Sequence, residues 1–176
     1  MCKELNPNVT EGVRPAGHAA DDPRLDRVSP LTPANAVAAI LTVEGSYLLQ
    51  LRDRKHGIFF PSHWGCFGGA VDPGETAEAA LVRELSEELD LDVAPQALQY
   101  FTRFDFDIGF AGRPPIWRFF YEIEFGRATL SKLTLQEGSR MELIPADAIL
   151  AGTLPITPYD AFALWFHINR GRLQRS

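Results

Sequence analysis

The stretch GGAVDPGETAEAALVRELSEELDLDV, residues 68–93, decides the fold because it carries the strongest helical pattern of the chain. Apolar residues recur every four positions and predict a helix over residues 76–89 with one buried stripe. The stripe consists of Leu81, Leu85 and Leu89. Glycines and a proline precede it and indicate a loop. The stretch therefore predicts a loop that leads into an amphipathic helix.

The second half of this helix is crowded with acidic side chains. Glu84, Glu87 and Glu88 lie three or four positions apart, so their Cβ atoms share one face at about 5–6 Å. An anion in the last turn also meets the negative end of the helix dipole, which costs about 0.3–1 kcal/mol. Water and salt can screen such a face, whereas bound Mg²⁺ or Mn²⁺ would remove the repulsion. The charge pattern alone leaves both interpretations open.

Composition narrows the class of protein. The chain has 176 residues, 45% hydrophobic and 23% charged, which is typical of one soluble globular domain. Its apolar runs are shorter than the ~20 residues of a membrane span, and the N-terminus lacks a signal-peptide pattern, so we expect a cytoplasmic protein without membrane contact. The net charge of −6 argues against a surface that binds nucleic acid.

The rest of the chain divides into an arm and a domain. Residues 1–33 hold five of the thirteen prolines without apolar periodicity, and we expect a flexible N-terminal arm. Residues 34–176 read as a single domain. Alternating strands and helices predict an α/β fold (α+β, mixed sheet) with helices on its faces. We predict strands at 35–43 and 46–52, which Glu44-Gly45 would join as a β-hairpin. We further predict strands at 98–108, 115–125 and 140–144, a short strand after the 53–69 loop, and helices at 145–150 and 158–170.

The spacing within residues 69–91 resembles the Nudix box. Gly69 is followed by Glu75 after five residues and by Arg83-Glu84 after seven more, and Glu87-Glu88 complete the signature. Asp90 stands where the family usually has the glycine that ends the helix in a left-handed conformation. The resemblance implies a Nudix-like α/β/α sandwich. It also implies that Gly69, Glu75 and Arg83 are structural positions of the box, the arginine tying the loop to the helix.

The resemblance implies a metal-dependent site. Its metal ligands would be the carboxylates of Glu84, Glu87 and Glu88 with the backbone carbonyl of Gly68, and its cofactor Mg²⁺ or Mn²⁺. Water would attack phosphorus, and a carboxylate would take its proton. The family places that base either in the box or on a later loop. We therefore name Glu84, Glu87 and Glu137 as catalytic candidates, the last from the segment LQEGSRMELI.

The resemblance further implies a substrate that carries a diphosphate. Arg52 is the candidate for phosphate binding, although a solvated cation is an equal alternative. Aromatic rings could stack on a nucleobase or, more commonly, pack in the core. The candidates are Phe60, Trp64 and Trp117.

We therefore expect a divalent-metal-dependent pyrophosphohydrolase that cleaves a nucleoside diphosphate derivative. Nucleotide sugars and nucleoside triphosphates both remain open as its substrate. The alternatives are a non-catalytic nucleotide-sensing or RNA-binding Nudix module, and a diphosphate isomerase that releases no phosphate. Homodimerisation through the arm or the apolar C-terminus is a further expectation.

Overall fold

The computed structural model describes residues 34–55, 58–107, 109 and 114–173, so the expected arm over residues 1–33 lies outside the described residues. Within them the chain forms one mixed sheet with helices and a short 3₁₀ turn at Pro95–Ala97. The strands are β1 (Ala36–Val43), β2 (Ser46–Leu51), β3 (Trp64–Gly65), β4 (Gln99–Phe106), β5 (Ile116–Glu124) and β6 (Arg140–Pro145). The helices are α1 (Ala77–Leu89), α2 (Arg127–Leu130), α3 (Ala146–Leu150) and α4 (Pro158–Leu173).

The sheet has the order β3-β2-β1-β5-β4, and β6 pairs along the other edge of β2. β1 and β2 form the predicted hairpin, in which both turn residues, Glu44 and Gly45, have positive φ as a tight hairpin turn requires. The pairing of β1 with β5 is parallel, whereas the other strand pairs are antiparallel. The predicted mixed sheet is confirmed.

Strand β1 also holds the start of the acidic stretch. The part of β1 that precedes its contact with β2 pairs along the same edge with residues 67–70. The Ala39 N–H donates to Phe67 O and the Val37 N–H donates to Gly69 O, both at 2.9 Å. This pairing fixes the backbone around Gly68 against the centre of the sheet. The loop that precedes α1 is therefore anchored before the helix begins.

Two hydrophobic cores lie on opposite faces of the sheet. One face packs against the leucine stripe of α1, and its buried members are Val37, Ala39, Leu41, Leu48, Phe67, Ala80, Leu81, Leu85, Leu89, Tyr121 and Ile123. The other face packs against α4 and α3 through Ala38, Ile40, Tyr47, Leu49, Trp64, Cys66, Phe120, Ile144, Ile149, Ala163 and Leu164. A sheet between two helical layers is the α/β/α sandwich that the resemblance implied.

The elements follow the sequence pattern closely, with end points that differ by a few residues. The pattern missed α2 and the 3₁₀ turn, which are too short to show a period. No helix of the described segments is both long and apolar enough to traverse a bilayer.

Candidate functional site

Helix α1 has capped ends that fix the position of its acidic side chains. The Thr76 hydroxyl accepts a hydrogen bond from the Ala79 N–H at 3.2 Å, which satisfies a free donor of the first turn. Asp90 ends the helix in the left-handed conformation, with φ 53°, and its N–H donates to the carbonyls of Leu85 and Ser86. The last turn itself contains no basic residue, so any cation that offsets its negative charge must come from elsewhere in the structure.

Arg83 connects the loop to the acidic face. Its Nε and Nη2 donate to the two carboxylate oxygens of Glu75 at 3.1 Å each, and Nη2 also donates to Ala70 O at 3.0 Å. Nη1 donates to Glu84 at 2.6 Å and to Glu87 at 3.2 Å. The Arg83 bonds hold the pKa of Glu75 below its usual range. The structure thus pairs Glu75 with Arg83 and ties the 68–75 loop to the helix.

Glu88 is the buried carboxylate of the cluster, with 6% of its surface exposed. Its Oε1 accepts a hydrogen bond from Gln50 Nε2 at 2.9 Å, and its Oε2 accepts one from the Gly68 N–H at 2.7 Å. Burial raises the pKa of Glu88 to about 7, although both hydrogen bonds act in the opposite direction. Burial likewise raises the pKa of Glu84, against the opposing effect of Arg83. Two of the three carboxylates are therefore poorly hydrated.

The paired glycines allow the loop to approach this cluster. Gly68 has φ +125°, and a Cβ there would lie 2.4 Å from Val37 O. A Cβ on Gly69 would lie 2.5 Å from Glu84 Oε2. Gly68 therefore requires glycine, because a side chain there would meet the sheet backbone and its φ is positive, whereas a side chain at Gly69 would displace the Glu84 carboxylate.

A second loop brings Glu137 to the same end of α1. The Gln136 N–H donates to Glu88 O at 2.8 Å, and the Thr134 N–H donates to Leu89 O at 3.0 Å. The charge of Glu137 is among the causes that raise the pKa of Glu84 and of Glu88. The exposed Glu137 is therefore an electrostatic neighbour of the box carboxylates, although it is distant in sequence.

The oxygen atoms available at this site are of the chemical types that bind a hard divalent cation. Carboxylate oxygens on adjacent turns and a nearby backbone carbonyl are ligands that Mg²⁺ and Mn²⁺ prefer, and a cation would offset the burial of Glu84 and Glu88. In the described part of the chain, however, no three acidic, histidine or cysteine side chains already converge as a metal site. Arg83 holds Glu84 and Glu87, while Glu88 faces Gln50 and Gly68. A cation would therefore compete with Arg83 for two carboxylates.

Arg52 and Phe60 lie together in the loop between β2 and β3. Arg52 Nε donates to Phe59 O at 2.9 Å and so holds the loop that follows β2. Phe60 is 37% exposed, has a positive φ of 50°, and contacts the rings of His63 and Tyr159 edge to face. The structure brings these two sequence candidates close to each other.

The two tryptophans are separated by the sheet. Trp64 lies in the core under α4 with 5% exposure, and the Arg140 guanidinium covers its ring at 5.1 Å. Trp117 is half-buried and packs 4.7 Å from Phe119, which belongs to the α1 side. Trp64 is therefore corrected as a candidate for base stacking, and the alternative of core packing applies. Strand β3 is buried between β2 and the segment before α4, so no face of the Trp64 ring is open.

Sequence reasoning missed a buried polar network and a cleft near the start of α4. Asp160 accepts hydrogen bonds from Arg118, from the Cys66 N–H and from the Thr157 hydroxyl. The cleft, of about 410 Å³, is lined by Phe104, Asp105, Phe106, Pro158, Tyr159 and Phe162. A polar Gln50 within the apolar run SYLLQL was a usable signal for a buried polar role, whereas nothing in the sequence pairs Arg118 with Asp160.

Comparison with known proteins identifies the family. The NUDIX domain model matches residues 32–161. Nucleoside triphosphatase NudI from Enterobacter sp. (strain 638) is 45% identical over 53 residues, which is 30% of this chain and 37% of that protein. Nucleoside triphosphatase NudI from Escherichia coli O1:K1 / APEC is 43% identical over the same length. The matched part thus spans little more than a third of these curated relatives.

Solved structures share the fold. The MutT NUDIX hydrolase from Burkholderia pseudomallei has a TM-score of 0.59 at 22% identity, covering 76% of this chain and 96% of that one. The MutT protein from Methanosarcina mazei Go1 has a TM-score of 0.61 at 17% identity, covering 79% and 94%. The family match covers most of the chain, and it agrees with the box and with the sandwich. The chain belongs to the Nudix family.

Proposed function

We propose that this protein is a divalent-metal-dependent pyrophosphohydrolase that cleaves the diphosphate linkage of a nucleoside diphosphate derivative. One observation carries the proposal: two partly or fully buried carboxylates, Glu84 and Glu88, lie in the second half of α1 near the Gly68 backbone and the loop that carries Glu137. Burying anions is costly unless a cation accompanies them. The family to which the chain belongs supports the same chemistry.

Each residue has a distinct part in this proposal. Glu84, Glu87 and Glu88, with the Gly68 carbonyl, would hold Mg²⁺ or Mn²⁺. When bound, the cation supplies positive charge to the diphosphate and makes water a better nucleophile near neutral pH. The exposed Glu137 carboxylate would accept a proton from the attacking water. Glu84 and Glu87 remain the alternative bases.

The substrate side of the proposal is less specific. Arg52 would contact a phosphate, and Phe60 or Trp117 would contact the nucleoside. The relative named nucleoside triphosphatase NudI supports nucleoside triphosphates as the first class to test, ahead of nucleotide sugars. The expectations of a cytoplasmic protein and of a homodimer stay predictions.

A substrate screen tests the proposal. The purified full chain is incubated with nucleoside triphosphates, nucleotide sugars and dinucleoside polyphosphates, with Mg²⁺ or with a chelator, and products are identified by mass. We expect release of a nucleoside monophosphate in the presence of the metal only. If nucleotides bind tightly and none is cleaved under any condition, the proposal fails and a nucleotide-sensing module is favoured.

The role of Glu137 has its own test. Replacing Glu137 by Gln keeps its size and removes the proton acceptor, so we expect kcat to fall about 10²- to 10⁴-fold. The control is Glu142→Gln on β6, where an exposed glutamate pairs with Arg140 on the α4 side of the sheet. Equal rates for the two variants would assign the base to the box instead.

A further inference from the structure

Gln50 is a buried amide in the middle of the sheet. It lies on β2 with 4% exposure, in a strand whose other interior side chains are aliphatic or aromatic. Alternation along the strand places it on the same side as Leu48, which faces α1. A buried polar side chain is costly unless its hydrogen bonds are satisfied. Its partners therefore indicate why an amide stands there.

The amide nitrogen of Gln50 is directed at Glu88. Nε2 donates to Glu88 Oε1 at 2.9 Å, while the other oxygen of that carboxylate accepts the Gly68 N–H at 2.7 Å. One donor on each oxygen fixes the plane of the carboxylate, because a rotation breaks at least one bond. Each oxygen keeps a second lone pair for another partner.

The amide oxygen of Gln50 is directed at the Glu137 loop. A Cβ on Gly138 would lie 2.9 Å from Gln50 Oε1, so this loop closes directly over the amide. Gly138 has φ +86°, and the Ser139 N–H donates to Leu51 O at 2.9 Å. One side chain thus contacts both the helix carboxylate and the loop next to Glu137.

We propose that Gln50 is a positioning residue, which sets the orientation of the Glu88 carboxylate and the approach of the Glu137 loop. The catalytic meaning of this inference rests on the proposed function. An uncharged amide suits this position because it donates an N–H to Glu88. A methionine of similar length has no N–H for Glu88, and a glutamate would place a second anion against it. Residues that hydrogen-bond to a metal ligand and orient it typically change metal affinity or activity about 10- to 100-fold when they are replaced.

The first test follows Glu88 in the metal-free protein. The Gly68 amide proton reports on Glu88 because the two are hydrogen-bonded. We expect its NMR resonance in Gln50→Met to move toward its position in Glu88→Ala, which lacks the carboxylate. Gln50→Asn, which keeps an amide that is too short to reach Glu88, should behave alike. Leu48→Met, on the same strand and face, is the control for altered packing and should leave the resonance unchanged.

The second test measures the metal and the reaction. Titration of Mn²⁺ by electron paramagnetic resonance, without nucleotide, should give a dissociation constant about 10- to 100-fold higher in Gln50→Met and unchanged in Leu48→Met. At saturating Mg²⁺, kcat should fall by a similar factor while the nucleotide KM changes less than about threefold.

The results separate the two proposals. An unmoved Gly68 resonance in folded Gln50→Met or Gln50→Asn overturns the positioning role, as does a wild-type Mn²⁺ affinity in either variant. If wild-type protein hydrolyses nothing while the resonance moves and Mn²⁺ binding weakens, the proposed hydrolysis fails and the positioning of Glu88 stands.

Discussion

At the scale of single residues, Glu88 is the most constrained group of the site. It is buried, it receives one hydrogen bond on each carboxylate oxygen, and its own backbone carbonyl accepts the Gln136 N–H. Glu87 differs sharply, since 59% of its side chain is exposed and its contact is with Arg83. The three box carboxylates are therefore not equivalent: Glu88 is held rigidly, and Glu87 can move at little cost.

Replacing Glu88 by Gln should lower kcat at least about 100-fold, because a neutral amide cannot offer two anionic oxygens to a cation and several kcal/mol of charge stabilisation would be lost. Steady-state kinetics on the substrate found in the screen measures this effect. Glu78→Gln is the control, since Glu78 lies on the same helix and contacts Tyr121 outside the cluster. A Glu88→Gln enzyme within threefold of the Glu78→Gln rate, about 0.6 kcal/mol, would contradict the assigned role.

Sequence reasoning at the level of residues was most informative where the signal was local. Fixed spacing along one helix predicted that Glu84, Glu87 and Glu88 share one face. The resemblance to the Nudix box implied that Arg83 ties the loop to the helix, and in the structure Arg83 donates two hydrogen bonds to Glu75. For Trp64 the sequence left base stacking and core packing open, because an aromatic residue in a loop-like segment gives no information about what later covers it. The partners of Gln50 could not be predicted, since they come from two distant segments.

At the scale of elements, the end of α1 explains how the acidic turn is tolerated. The Thr134 and Gln136 N–H groups satisfy the carbonyls of Leu89 and Glu88, which would otherwise lack partners. Asp90 takes the left-handed position at the end, where a residue with a Cβ is strained. Hydrogen bonds thus satisfy the last carbonyls of the helix, whereas the acidic side chains there are unfavourable next to the negative end of the helix dipole.

Asp90→Gly should raise the free energy of unfolding by a few tenths to ~1 kcal/mol, because glycine relieves the left-handed strain and one anion leaves the negative end of the helix. Urea unfolding of the metal-free protein measures the change. Asp92→Gly removes a nearby anion at a position without positive φ, so it should not stabilise. A lower midpoint for Asp90→Gly would show that unfolded-state entropy outweighs both gains.

Elements with a clear period were predictable, and pairings between distant elements were not. The β1–β2 hairpin followed from Glu44-Gly45, and α1 followed from its leucines. The parallel contact of β1 with β5, and the place of β6 on the far edge of β2, depend on packing between segments far apart in sequence. Local patterns carry no information on such contacts.

At the scale of the whole molecule, a buried network joins α4 to the sheet. The Tyr47 hydroxyl on β2 bonds to His167 Nδ1 at 2.8 Å, and His167 Nε2 lies 3.3 Å from Glu122 on β5. Arg170 pairs with the same glutamate, and the Phe101 ring of β4 packs edge to face against the imidazole. Three strands and the last helix therefore meet at one histidine.

The stability of the protein should decrease in mild acid through His167. Burial lowers the pKa of His167, against the opposing effect of Glu122, so the unfolded chain binds the proton more readily than the folded one. The contribution is complete above the ordinary pKa of about 6.5 and is lost as the pH falls below it. Melting temperatures between about pH 7.5 and about pH 5.5 should fall more steeply for wild type than for His167→Gln. Parallel slopes would contradict this.

The parallel pairing of β1 with β5 has a consequence for how the protein is made. Ala36 meets Arg118 across a loop of roughly 80 residues, and closing so long a loop makes folding slow. Tyr121 and Ile123 of β5 also supply part of the surface on which α1 rests. A nascent chain therefore exposes the acidic helix before its platform exists, and a fragment that stops short of Ile116 would contain the entire box without the strand that holds it in place.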